Sequence, residues 1–174
     1  MELNNYGITL KPLHENDIEM VRLWRNSSHV RQYMQYKNHI SIEMQKRWFK
    51  SLDNKKDFFF IIYHNNYPIG LTEIKHIDKY NNGNLGIFIA DSESLKIPMI
   101  SYRAIFAIID FAFYELELNE IIASILPDNN RAIRFNESFG FEKSLKNIDK
   151  LLYYTLTQEN YKYKSSKIKK ILLR

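Results

Sequence analysis

The reading turns on Leu85 to Phe141: LGIFIA (85–90), DSESLK (91–96), IPMISYRAIFAIIDFAFYELEL (97–118), EIIASIL (120–126) and PDNNRAIRFNESFGF (127–141). The first run is short, apolar and β-branched, as a buried strand would be. The third carries Ile105, Phe106, Ile108, Ile109, Phe111, Ala112 and Phe113 around most of a helical circumference. That pattern predicts a helix over 97–118, buried against a sheet. Pro98 near its first position fits, because the N–H that proline lacks has no partner there. EIIASIL reads as the next strand. Asn129 to Phe139 reads as a short helix stopped by Gly140, a residue suited to a left-handed helix end.

Working outward, Ile8 to Leu13 alternates apolar and polar residues and predicts a strand. Helical spacing follows at Asp17–Arg25, with a short helical piece near His29–Met34. Ser41 is the N-cap expected for a helix that carries Ile42, Met44, Trp48, Phe49 and Leu52 and ends near Asp53. Trp48 and Phe49 read as core residues. Asp57–His64, the turn Asn65-Asn66 and Pro68–Ile77 predict a hairpin. Tyr80 to Gly83 marks a further turn before Asn84–Ala90. Phe141–Leu145 and Lys150–Thr157 close the body as two more strands. The fold class is α+β: a mixed, mostly antiparallel central sheet flanked by helices.

The 174 residues suit one core, and 45% hydrophobic with 26% charged residues is ordinary for a globular domain. No cysteine is present, which excludes disulfides, a thiolate nucleophile and sulfur-ligated zinc. The amino-terminal residues lack the basic and apolar regions of a signal peptide. Ala104 to Phe113 is too short to span a bilayer, which takes about 20 residues. The expected setting is cytoplasmic. The net charge of +5 resides in the basic tail 158–174, where Lys162, Lys164, Lys167, Lys169, Lys170 and Arg174 face one acid, Glu159. The body, 1–157, is neutral, so nucleic acid is not an expected partner of the fold. The tail is expected to be a solvated terminal helix.

Phosphate-loop, dinucleotide-loop, zinc-protease and nucleophile-elbow motifs are all missing, and the five histidines (His14, His29, His39, His64, His76) show no metal spacing. No metal is expected. What remains is the order strand, loop, long buried helix, strand, and then Asn129-Asn130-Arg131-Ala132-Ile133-Arg134-Phe135-Asn136-Glu137-Ser138-Phe139-Gly140-Phe141. With that closing segment the chain resembles the GNAT superfamily of acyl-CoA N-acyltransferases, whose signature there is N-x-x-A-x-x-x-Y-x-x-x-G-F. The resemblance extends forward to ITLKPLHENDIEMVRLWRN and covers roughly 1–157, a GNAT domain followed by the tail.

The resemblance implies an acetyl-CoA-dependent acyltransferase. The CoA pyrophosphate would rest at the start of the long helix, since a helix N-terminus is an anion site. Lys96, Ile97, Met99 and Ile100 are the implied residues, with Asn129 and Asn136 on the following helix. The pantetheine arm would add like a strand along Ile87, Phe88 and Ile89. Two departures stand out. Relatives place glycines where this chain has Leu95-Lys96-Ile97-Pro98-Met99-Ile100, so Lys96 is expected to supply charge instead. The signature tyrosine, which protonates the leaving thiolate in many relatives, falls on Asn136. An amide donates a hydrogen bond but transfers no proton.

The front half, Leu23–Met34 with Ile40–Phe49, resembles the branch that acetylates nucleotide-linked amino sugars, as does Leu151–Tyr154. The resemblance takes in the pseudaminic-acid pathway member, similar in length, where the acceptor is the 4-amino group of a UDP-4-amino-4,6-dideoxy sugar. The resemblance places Arg25, Lys75, His76 and Ser124 at the acceptor pocket. His76 is the first expectation for general base and Glu73 the second. Arg25 or Lys75 would suit a diphosphate. A ribosomal-protein or peptide N-terminal acetyltransferase is the alternative enzyme, and a CoA- or RNA-binding module the non-enzymatic one. A homodimer is compatible with the sequence but not read from it.

Overall fold

The computed structural model describes residues 2–148 and 150–172; Arg174 of the basic tail lies outside them. Eight strands form one sheet: β1 (Leu3–Asn5), β2 (Ile8–Pro12), β3 (Phe58–His64), β4 (Tyr67–Lys75), β5 (Asn82–Ile89), β6 (Glu120–Ile125), β7 (Glu142–Ile148) and β8 (Leu151–Thr157). Their spatial order is β1-β2-β3-β4-β5-β6-β8-β7. Every neighbouring pair is antiparallel except β5 and β6, which run parallel. The expected α+β sheet is therefore present. β1 escaped the sequence reading because three residues, two of them asparagine, carry no alternation.

The helices are α1 (Ile18–Asn26), α2 (Ser28–Arg31), α3 (Ile42–Lys50), α4 (Ile100–Asp110), α5 (Asn130–Phe139) and α6 (Gln158–Leu172). They cover the two faces of the sheet unequally. α4, α5 and α6 pack over one face, where Ile105, Phe106, Ile108, Ile109, Phe139 and Tyr161 meet Ile62, Ile74, Ala123 and Leu156. On the other face α1 and α3 press Val21, Trp24 and Trp48 on Phe59, Ile61 and Leu71. Trp48 stands edge-on to Phe59, 5.1 Å between ring centres, so its place in the core is as expected.

Two helix ends follow the sequence closely. Ser41 Oγ accepts the Met44 N–H at 3.2 Å, capping α3. Gly140 ends α5 at φ 99°, and a Cβ there would press on the Asn160 carbonyl.

Two elements differ from expectation. The helix predicted over 97–118 begins at Ile100 and is α-helical only to Asp110; Phe111–Glu115 continues as a π turn. Pro98 and a left-handed Met99 (φ 61°) delay the start. The tail is also not a solvated helix. α6 places Tyr161, Ser165, Ile168 and Leu172 along one stripe, and Tyr161 is fully buried against Phe106 and Phe113. The lysine count hid that stripe, because its positions, Tyr161, Ser165, Ile168 and Leu172, are four, three and four residues apart among five lysines and one of them is a serine.

Candidate active site where two strands part

β5 and β6 are hydrogen-bonded only from Asn82↔Glu120 to Leu85↔Ala123. β5 continues to pair with β4 as far as Ile89↔Gly70, and β6 with β8 as far as Ile125↔Leu152. The two parallel strands therefore separate, and Gly86 to Ile89 present an edge with no partner strand on the β6 side. Such an edge can pair with an extended amide chain. Ile87, Phe88 and Ile89, expected to line the pantetheine arm, occupy it.

Gly86 and Ser124 are the first residues past the point of separation. Side chains alternate along a strand, and Leu85, Ala123 and Ile125 belong to the α4 side. Ser124 and the bare face of Gly86 therefore look toward α1 and α3. Glu73 pairs with Gly86 from β4 and shares that face. A Cβ on Gly86 would sit 2.6 Å from Glu73 Oε1, so glycine is what admits the carboxylate here. Glu73 is buried, with 9% of its surface exposed. Lys75 Nζ donates to its Oε1.

Arg25 of α1 lies within electrostatic range of the same carboxylate, without an ion pair to it. It lies one turn after the buried Val21, on the face that α1 turns to the sheet. Burial lowers the pKa of its guanidinium, and attraction to Glu73 opposes that effect. Its Nε is buried with no hydrogen-bond partner, and among the described residues only Gln45 Nε2 on α3 shares that condition. A buried donor without an acceptor costs free energy comparable to a lost hydrogen bond. The α1 side of the cleft thus offers oxygen-seeking groups.

Of the sequence-predicted residues, the fold groups Glu73, Lys75, Arg25 and Ser124. It sets others apart. His76 lies past the end of β4 in a left-handed conformation (φ 55°), donates its backbone N–H to Asp57 at 2.9 Å and leaves its ring 71% exposed. The register runs away from the cleft there, since Lys75 already opposes Asn84. Lys96 is exposed and paired with Glu93 at 2.7 Å. Ile97 precedes the turn into α4, and Met99 holds the left-handed position that glycine takes most easily, immediately before Ile100. Asn129 is used as the α5 N-cap, accepting the Ala132 N–H at 3.1 Å. Asn136 donates from Nδ2 to the Ala132 carbonyl at 2.8 Å.

The sequence reading did not single out Gly86 or Trp24. Gly86 is one of only five glycines, and its position inside a strand is itself a signal of close approach. Trp24 stands edge-on to Phe88, 6.4 Å between ring centres, so α1 is braced against the separating strand. A depression of about 620 Å³ opens at the far end of β4 and β5, lined by Trp24, His64, Asn65, Tyr67, Ala90 and Asp91 among others. It lies up the strands from Glu73 and not at it. Beside it His29 Nε2 meets the Ala90 carbonyl at 2.6 Å, and Asp91 accepts from Ser94 N and Oγ, a bond that lowers the pKa of the Asp91 carboxyl.

Comparison with known proteins agrees with this geometry. A family model described as an acetyltransferase (GNAT) domain matches residues 8–142. Acetyltransferase PseH of Campylobacter jejuni subsp. jejuni serotype O:23/36 is 23% identical over 150 residues, spanning 85% of this chain and 90% of that protein. Among solved structures, FdhC, described as a nucleotide-linked sugar GNAT, superposes with TM-score 0.81 at 19% identity, over 99% of this chain and 98% of that one. The spermidine N-acetyltransferase of Vibrio cholerae, solved with CoA and spermine, gives 0.76 at 19% identity, over 90% and 99%.

Proposed function

The chain belongs to the GNAT acetyltransferase family, and on that premise we propose that it transfers an acetyl group from acetyl-CoA to the amino group of a nucleotide-linked amino sugar. The acceptor assignment rests on the cluster of Glu73, Arg25 and Lys75 beside the cleft. One carboxylate suits one amine. Two cations beside it suit a diphosphate and oppose a polyamine, whose several positive charges would meet Arg25 and Lys75. PseH, 23% identical, and FdhC, described as a nucleotide-linked sugar GNAT, add support through their similarity.

Acetyl-CoA supplies a thioester carbonyl. The free edge at Ile87, Phe88 and Ile89 offers backbone groups to its amide arm, and the turn through Met99 into Ile100 opens the helix end that takes its phosphates. Lys96 is free to exchange Glu93 for that anion, since an exposed pair of this kind is worth about 1 kcal/mol or less.

Glu73 acts as the general base in this reading. It accepts a proton from the acceptor ammonium at the point where β5 and β6 separate, and the neutral amine then attacks the carbonyl. The thiolate departs with its negative charge, which the Asn136 amide can meet with a hydrogen bond but cannot neutralise. The attacking nitrogen, cationic after addition, releases its second proton to solvent as the tetrahedral adduct collapses to the amide, and the thiolate takes one proton from solvent. Holding two reactants at attack distance supplies about 7–11 kcal/mol of barrier reduction, so chemistry can proceed without a tyrosine acid. Glu73 replaces His76 as first base because it is the group beside the open edge.

The test is acetyl-CoA consumption against UDP- and dTDP-linked 4-amino sugars, peptide N-termini and spermidine. A nucleotide sugar should exceed the others at least about tenfold in kcat/KM. Faster turnover of peptide N-termini would move the assignment to the peptide enzyme.

A further inference from the structure

We propose that the cavity at the rim of the sheet, between Trp24 and Tyr67, holds the nucleoside end of the acceptor while its amine reaches Glu73. This rests on the nucleotide-sugar reading and adds the subsite that would recognise the nucleotide. At about 620 Å³ the cavity has the size of a ligand pocket. Two of its walls are aromatic. Trp24 is held by its edge contact with Phe88, and Tyr67 is 76% exposed, a large ring face left to solvent. His64 and the Asn65 amide add polar atoms for the edge of a base. No lysine or arginine lines it, which suits a neutral planar group better than a phosphate.

The spacing fits a two-ended ligand. Glu73 faces Gly86, and Ala90 at the cavity is four residues further, about 13 Å along the strand. A hexose and a diphosphate bridge a gap of that order. Arg25 follows Trp24 in the chain, interacts with Glu73 and has an unpartnered Nε. Next to Trp24 in the chain and within electrostatic range of Glu73, it would meet the diphosphate between the two ends.

CoA carries a nucleoside diphosphate of its own. The cavity is assigned to the acceptor because α1, which supplies Trp24, covers the face of the sheet opposite α4. The experiment separates the two sources. Binding of UDP to the full chain is measured by calorimetry, with and without saturating CoA, for the wild type, Tyr67→Ala, His64→Ala and, as an aromatic control on α6, Tyr163→Ala. UDP should bind alongside CoA. Tyr67→Ala should weaken it about tenfold, the scale of one lost stacking partner, with CoA affinity unchanged. Tyr163→Ala should change nothing. Absence of UDP binding, displacement of UDP by CoA, or equal affinity in Tyr67→Ala and His64→Ala would each overturn the assignment. UDP bound through Tyr67 without acetylation of any nucleotide sugar would keep the subsite and refute the acceptor reading alone.

Discussion

Glu73 and Gly86 act as one unit. The carboxylate occupies the volume a Cβ would take, so the strand bearing Glu73 and the strand bearing the free edge fix each other's position. Glu73→Gln keeps the shape and removes the proposed base, and kcat should fall about 10²–10⁴-fold with acetyl-CoA affinity intact. A loss under tenfold would remove Glu73 from the chemistry. Gly86→Ala tests the same contact from the other side. The new methyl meets a flexible carboxylate and not backbone, so the fold should survive while kcat drops with Glu73 displaced. Asn136 is a different case. Its amide already serves Ala132, and Asn136→Ala should cost about tenfold in kcat, the scale of one hydrogen bond. Thousands-fold loss with folding preserved would make it central. The sequence held Glu73 as a candidate, yet ranked His76 above it on the ordinary pKa of imidazole. Only the strand register shows that His76 lies beyond the last paired residue of β4, Lys75 opposite Asn84.

α6 shows how an element can be legible in pattern and still misread in role. Its five lysines made it look solvated, but Tyr161 Oη donates to Asp110 at 2.6 Å and Lys169 Nζ to the same carboxylate at 2.7 Å. Tyr6 Oη donates to Asp110 as well, so one side chain at the end of α4 joins the β1–β2 turn to the last helix. The contact links elements some fifty to a hundred residues apart, which periodicity cannot report. Burial, reinforced by the Asp110 carboxylate, raises the pKa of both Tyr6 and Tyr161 far above the usual tyrosine value. The unfolded chain releases these protons near pH 10 and the folded chain keeps them. Their stabilisation is thus complete below about pH 10 and declines as pH rises beyond it. Chemical denaturation should show unfolding free energy falling above that pH. In Tyr161→Phe the fall should be shallower and the neutral-pH stability lower by about 1 kcal/mol, one hydrogen bond. An unchanged alkaline slope would mean that the hydroxyl is not held as described.

Across the whole molecule, the layers predict how ligand and stability are linked. Helix-breaking residues, β-branched runs and the all-round apolar α4 made the α+β order readable, because they are local properties of the chain. The separation of β5 from β6 was not readable, because it depends on where pairing stops between strands thirty-eight residues apart, Leu85 and Ala123. That opening leaves strand edge unpaired in the middle of the sheet, with α4 and α5 on one side and α1 on the other. A ligand filling it would bridge both layers and bind the native state alone. The protein should therefore be stabilised by mass action, by about 2.7 kcal/mol at a hundredfold excess over Kd. For a domain of this size each kcal/mol raises Tm by about 2–4 °C, so acetyl-CoA should shift melting by about 5–10 °C. Desulfo-CoA, which keeps the amide arm and phosphates, should give most of that shift if the edge at Ile87–Ile89 and the α4 start make those contacts as proposed. Adenosine alone should give little. If millimolar acetyl-CoA leaves Tm unchanged, the free edge of β5 is not a cosubstrate site, and the placement of Glu73 as base beside it loses its ground.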